Sequence, residues 1–200
     1  MSIDFNMSGF LPLTIVPRRH CDVRGWFSET FHTQLIRDLG VACSFVQDNQ
    51  SHSSRRGTVR GFHFQAAPAA QAKLISVLRG RILDVAVDIR RGSPTFGKYV
   101  SAELSSDNGE QLFVPIGFAH GFVSLEDEAS VLYKVSDYYA PSLEGGIRWN
   151  DPDIAFPWPF EDAAIIRSEK DDRAPYLKDF ESPFPYDGNP LTELPVFNLS

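Results

Sequence analysis

Ile82-Leu83-Asp84-Val85-Ala86-Val87-Asp88-Ile89-Arg90 is the stretch on which the fold turns. Leu83, Val85, Val87 and Ile89 fall on one parity, and Ile82, Asp84, Ala86, Asp88 and Arg90 on the other. A period of two belongs to a pleated strand, whose successive side chains point to opposite faces. The wholly apolar parity predicts a strand with one face on a core. Similar segments extend outward from it, near 12–16, 44–52, 57–65 and 72–79 on one side and 98–104, 110–115, 118–125 and 129–139 on the other. Turn residues separate most of them, as at Gly92-Ser93-Pro94 and Ser105-Ser106-Asp107-Asn108-Gly109. Many short strands spaced about ten residues apart predict an all-β sandwich or barrel.

Helix is scarce. Thr30 to Leu39 carries Phe31, Leu35, Ile36 and Leu39 and is closed by Gly40, which reads as one peripheral helix. A shorter helix is expected near 174–181. After residue 150 the chain becomes rich in proline and aromatics (Pro152, Pro157, Trp158, Pro159, Phe160), and its last twenty residues hold four prolines, a docked or loose tail. With no repeat, low-complexity tract or linker, one domain over 1–200 is expected, its core at about 8–175 and its tail from about 180.

The 200 residues suffice for a core without staples, and 42% are hydrophobic. Acidic residues outnumber basic ones 26 to 19, for a formal charge of −7, which argues against nucleic-acid and anionic-membrane partners. Local arginines still leave room for an anionic small molecule. Cys21 and Cys43 make no disulfide framework and read as reduced thiols. No apolar run approaches the roughly 20 residues of a membrane helix. Met1-Ser2-Ile3-Asp4-Phe5 lacks the layout of a secretory signal, so a cytoplasmic protein is expected.

Chemistry-bearing residues recur along these strands. His63 lies in Arg60-Gly61-Phe62-His63-Phe64-Gln65, where strict alternation groups Val59, Gly61, His63 and Gln65 and turns Arg60 away. For Arg60 and His63 to serve one site, the strand must be bulged, or the arginine must reach another part of the ligand. An imidazole titrates near working pH and suits proton transfer; a core histidine with both nitrogens satisfied is the plainer alternative. Lys73 shares parity with Ile75 and Val77, an uncommon place for an ammonium unless it serves an oxyanion or reaches solvent from a strand end. Tyr133 and Tyr139 fall on one parity, as do Gln47 and Asn49; aromatics there are ordinarily core. Ser168-Glu169-Lys170-Asp171-Asp172-Arg173 is by default a solvated charged segment, although one of its carboxylates could orient His63.

Pro115-Ile116-Gly117-Phe118-Ala119-His120 resembles the second metal motif of cupin-type barrels. The first motif is incomplete, because Phe64 and Gln65 follow His63 where a second imidazole would stand. Two histidines fall short of the three or four ligands a metal requires, so no metal is expected.

Taken in order, Asp22–Glu29, Phe45–Asn49, Arg60–His63, Pro115–Phe122, Tyr133-Lys134, Asp137–Tyr139 and Gly146–Pro152 resemble the motifs of dTDP-4-dehydrorhamnose 3,5-epimerases, over about residues 8 to 175. Any one of these motifs is unspecific; the series in register is not. The resemblance implies a cupin-like jelly roll with a few short peripheral helices. It implies a homodimer that acts without metal or cofactor on a dTDP-4-keto-6-deoxy sugar. By the same likeness His63 is the base, held by Asp171; Tyr133 is the acid on the opposite face of the sugar; and Lys73 meets the keto oxygen. Arg24, Glu29, Gln47, Asn49, Arg60, His120, Glu144 and Lys170 match positions lining the substrate site, and Tyr139 matches the aromatic that stacks on thymine. The chain departs from the family pattern at Gln50, Phe62, Phe64 and Ala72, where His, Leu, Tyr and Gly are usual. Relatives that invert only one carbon share the same catalytic set, so a single-carbon epimerase is the alternative enzyme. A non-catalytic sugar-nucleotide-binding cupin is a third reading, against which His63, Lys73 and Tyr133 together speak.

Overall fold

The computed structural model describes residues 11–41 and 43–199. The strands are β1 (Leu13–Val16), β2 (Arg19–Asp22), β3 (Gly25–Ser28), β4 (Gln47–Ser53), β5 (Val59–Gln65), β6 (Lys73–Arg79), β7 (Arg81–Asp88), β8 (Tyr99–Ser105), β9 (Gln111–Val114), β10 (Phe118–Ser124), β11 (Ala129–Val135), β12 (Glu144–Gly146) and β13 (Val196–Asn198). The helices are α1 (Thr33–Asp38) and α2 (Glu169–Arg173). A six-stranded sheet runs β13-β1-β9-β6-β11-β4, a five-stranded sheet runs β12-β5-β10-β7-β8, and β2–β3 form a hairpin of their own. The two large sheets pack as a sandwich, as the strand spacing predicts and in keeping with the jelly roll that the resemblance implies. Gly80, at φ +75°, carries the chain from β6 in one sheet to β7 in the other. Among the described residues no helix is long and apolar enough to cross a membrane.

The layer between the sheets is filled by Ile75, Val77, Leu112, Val114 and Val131 from one side and Ile82, Ala86, Phe118 and Phe122 from the other. Burying each such side chain contributes roughly 1.5–3 kcal/mol. The expectation that β7 has only one face on a core is too modest. Its apolar parity, Val85, Val87 and Ile89, lies in a second cluster with Phe62, Ile147, Phe156, Leu177 and Phe184, so the proline-rich segment after residue 146 covers that side. The mixed parity is buried too, because its polar members are paired: Asp88 with Arg90 at 2.8 Å, and Asp84 with His120 at 2.6 Å. A third cluster places Ile36 of α1 with Val41 and Cys43 over Leu13, Ile15, Leu74 and Phe113.

Several boundaries differ from the sequence reading. Helix α1 starts at Thr33, because His32 is extended and its Nδ1 accepts the Leu35 amide at 3.3 Å as an N-cap. The helix expected near 174–181 is only a single 3₁₀ turn, Leu177–Asp179. The charged run before it is helical instead. Ser168 caps α2, its Oγ accepting the Asp171 amide at 3.2 Å, and Ala174, extended ahead of Pro175, ends it. Strand β11 stops at Val135, four residues before Tyr139. The tail is docked: Ser182 and Phe184 are buried, Asp187 holds Arg90 at 3.0 Å, and β13 pairs in parallel with β1.

Candidate active site

One end of the inter-sheet layer opens into a cavity of about 580 Å³. His63 on β5, His120 on β10 and Glu144 on β12 reach it from the five-stranded sheet. Asn49 on β4, Lys73 on β6 and Tyr133 on β11 reach it from the six-stranded sheet. Helix α2 adds Lys170 and Asp171, and Arg60 and Tyr139 complete the set of expected residues that line it.

A bulge makes this convergence possible. His120 lies opposite His63 and Phe122 opposite Arg60, so Gly61 and Phe62 together face the single residue Gly121. Arg60 and His63, three residues apart, therefore both line the cavity, while Phe62 turns into the outer core. Val59 does not share the His63 face that strict alternation predicts; it packs with Val123, Trp149 and Ile165. Gly61 sits at φ +132°, and a Cβ there would strike the Gly121 Cα and the His120 carbonyl. Glycine is required.

His63 Nε2 is 2.6 Å from Asp171 Oδ1. The other oxygen of Asp171 accepts the Ser168 hydroxyl at 2.8 Å. Burial alone would raise the Asp171 pKa, but the hydrogen bond and charge of His63, with the Ser168 donors, bring it below the usual carboxylate value. An ionised carboxylate only accepts, so Nε2 carries a proton, and in the neutral ring Nδ1 holds the lone pair. That tautomer can take a proton from a ligand.

Tyr133 Oη is 2.9 Å from Ser51 Oγ, and burial pushes its phenol up to about 12. It is a neutral donor at physiological pH. Lys73 Nζ donates to the His63 carbonyl at 3.3 Å. Burial lowers its pKa to about 8, against the opposing pull of Glu144 and Asp84. At pH 7 it is still mostly an ammonium. His120 stands edge-on to Tyr133 at 6.0 Å between ring centroids, and burial lowers its pKa, keeping it neutral.

The mouth is polar. Lys170 Nζ is 2.6 Å from Glu144 Oε1, and the Tyr139 hydroxyl donates to Glu144 Oε2 at 2.9 Å. The phenol ring of Tyr139 is exposed at this rim, on the loop after β11 rather than on a strand face beside Tyr133. Arg60 is aimed by the His52 carbonyl at 2.9 Å. Gln47 stands outside the cavity and braces it, donating to Asn49 Oδ1 at 2.9 Å and accepting the Tyr139 amide at 3.1 Å.

Besides Gln47, two expected residues do not reach the cavity. Arg24 is exposed and paired with Asp22 at 2.6 Å, and Glu29 follows β3; among the described residues the β2–β3 hairpin pairs with no strand of either large sheet, Arg19 ties it to the Ser106 and Asp107 carbonyls, and neither Arg24 nor Glu29 lines the cavity. Ser51, Ser168 and Asp84 were not singled out from the sequence. Ser51 alone had a readable signal, since it continues the Gln47, Asn49 parity. Among the described residues no three His, Cys, Asp or Glu side chains group as a metal-ligand set.

The family model for dTDP-4-dehydrorhamnose 3,5-epimerase matches residues 8–179. The enzyme of that name from Sinorhizobium fredii is 48% identical over 86% of this chain and 88% of its own length. The dTDP-6-deoxy-D-glucose-3,5-epimerase of Legionella pneumophila, solved in complex with dTDP-4-keto-L-rhamnose, superposes with a TM-score of 0.80 at 43% identity, over 86% of this chain and 90% of that one. A 3′-monoepimerase from Streptomyces bikiniensis, in complex with dTDP-quinovose, gives a TM-score of 0.78 at 34% identity, over 84% of each chain.

Proposed function

The chain belongs to the dTDP-4-dehydrorhamnose 3,5-epimerase family, and from that premise we propose that it inverts carbons 3 and 5 of dTDP-4-dehydro-6-deoxy-D-glucose to give dTDP-4-dehydro-L-rhamnose. The observation that carries this reading is that His63 and Tyr133 line one cavity from opposite sheets, each with a hydrogen-bonded partner behind it. Inversion needs a base on one face of a sugar ring and an acid on the other.

The ketone at carbon 4 acidifies the hydrogens on carbons 3 and 5. His63 Nδ1 removes one, and Asp171 stabilises the imidazolium that forms. The electron pair moves onto the carbonyl oxygen, where the Lys73 ammonium meets the developing charge. Tyr133 then delivers a proton to the opposite face, and the imidazolium and phenolate exchange protons with solvent before the second centre reacts. No electrons are transferred, so no redox partner is needed. Arg60, His120, Asn49, Glu144 and Lys170 hold the remaining polar groups of the ligand, and Tyr139 stacks on the thymine.

Arg24 and Glu29 act, in this reading, in the site of a second copy. The hairpin that carries them exposes Val23, Trp26 and Phe27, an apolar surface suited to a homodimer. A cytoplasmic location is supported by the two free thiols, Cys21 and Cys43. The double epimerase is preferred to a single-carbon enzyme because the 3,5-epimerase relatives stand at 43% and 48% identity and the monoepimerase at 34%. Proton NMR of the product formed in deuterium oxide decides the matter: deuterium at both carbons is expected, and deuterium at one carbon only assigns the enzyme to the single-carbon class.

A further inference from the structure

The site contains a second imidazole–carboxylate pair for which the mechanism above has no step. Asp84 is fully buried; its Oδ1 accepts Nε2 of His120 at 2.6 Å, and its Oδ2 is buried without a hydrogen-bond partner. An unsatisfied charged oxygen in a dry core is costly and calls for a reason. Its surroundings supply one. Asp84 lies on the inner parity of β7 with Ile82 and Ala86, and Lys73 on the inner parity of β6 with Ile75 and Val77, so both project into the layer between the sheets. Each acts on the other by its charge. His120, kept neutral by burial, donates to the carboxylate; burial raises the Asp84 pKa, and the His120 donor and the charge of Lys73 oppose that rise and favour the anion.

We infer that Asp84, held in place by His120, is the buried counter-ion of the Lys73 ammonium and thereby a positioning residue for the cation that meets the enolate oxygen. The inference rests on the epimerase reading for its consequence, though not for the charge pairing itself. The other charges facing Lys73 come from β12 and α2, namely Glu144 and Lys170; Glu144 acts on Lys73 more strongly than Asp84 does, but it lies at the mouth, where it is already joined to Lys170 at 2.6 Å. His63 and Arg60 on β5, His120 on β10 and Tyr133 on β11 add no anion at neutral pH. Without Asp84 the Lys73 ammonium would keep only the Glu144 carboxylate at the mouth, and its pKa would fall.

The test follows the carbon-13 shift of the Lys73 side chain through a pH titration of lysine-labelled protein, with Lys73→Met to assign the signal. Asp84→Asn is expected to lower the titration midpoint by about one unit or more, the order expected when a nearby opposite charge is removed. It is also expected to move the alkaline limb of solvent-deuterium exchange downward by the same amount. His120→Gln, which keeps an N–H donor for Asp84, is expected to leave the midpoint in place. An unmoved midpoint in Asp84→Asn overturns the inference, even if activity falls. Should Asp84→Asn fail to fold, Lys73→Met provides the reciprocal reading: the His120 ring must then titrate higher, and an unmoved His120 overturns the pairing. The titrations require no turnover, so a wild-type protein that exchanges no deuterium would refute the epimerase reading and leave the charge pairing still measurable.

Discussion

Replacing Tyr133 with phenylalanine removes one oxygen from the cavity and leaves its shape nearly intact. In the folded protein that oxygen is 2.9 Å from Ser51 Oγ, so a single neutral hydrogen bond is lost. The net effect on stability is about 0.5–1.5 kcal/mol, or roughly 1–6 °C in Tm for a chain of this size. The effect on catalysis is expected to be far larger. A positioned general acid contributes about 10²–10⁴-fold, equivalent to about 2.7–5.4 kcal/mol of barrier. Because burial pushes the phenol up to about 12, wild-type Tyr133 keeps its proton across the working range. The alkaline fall in activity should instead begin near pH 8, where Lys73 loses its charge. The assay is proton NMR of dTDP-4-dehydro-6-deoxy-D-glucose in deuterium oxide. Tyr133→Phe should still exchange substrate hydrogen for deuterium, since His63 can remove a proton and return it to the same face, while inversion disappears. Inversion within tenfold of wild type would refute the assignment of the acid. Exchange lost in Tyr133→Phe but kept in His63→Ala would reverse the two roles.

His63→Ala is expected to abolish solvent exchange and inversion together, and NMR showing wild-type exchange would remove it as the base. Asp171→Asn should slow turnover by about 10²–10⁴-fold by releasing the tautomer that presents Nδ1. The folded-state pKa of Asp171 is depressed, so its charge contributes stability that is complete above about pH 4 and lost as pH falls below it. The gap in Tm between wild type and Asp171→Asn should therefore narrow between pH 7 and pH 3, and a constant gap would contradict the ionised pair. Gly61→Ala must place a Cβ against the backbone of Gly121, which is expected to cost about 1–3 kcal/mol and lower Tm by roughly 2–12 °C; an unchanged melting curve would show that the bulge tolerates a side chain.

Much of the sandwich was legible because strand formation is local. Alternation in 82–90 and in its counterparts reports the pleat directly, and most strands lie within a few residues of their expected spans. Boundaries went astray where a single hydrogen bond outweighed propensity, at the His32 and Ser168 caps. The short β2, β3, β12 and β13 pairings carry too few residues to show a period. Within the site, His63, Lys73, Tyr133 and His120 stood out as polar groups on otherwise apolar strands. Asp84 did not, because it was taken with the other polar residues of its parity, when in fact it is shut inside with His120.

The chain alone determined that strands would form, which of their parities were apolar, and which side chains had proton chemistry to offer. Tertiary structure decided the rest: that both faces of β7 are covered, that a bulge at Gly61 turns Arg60 and His63 into the same space, and that Asp171, 108 residues beyond His63, closes on its imidazole. Alternation depends only on the geometry of one strand, whereas burial, register and charge pairing depend on what a distant segment brings against it.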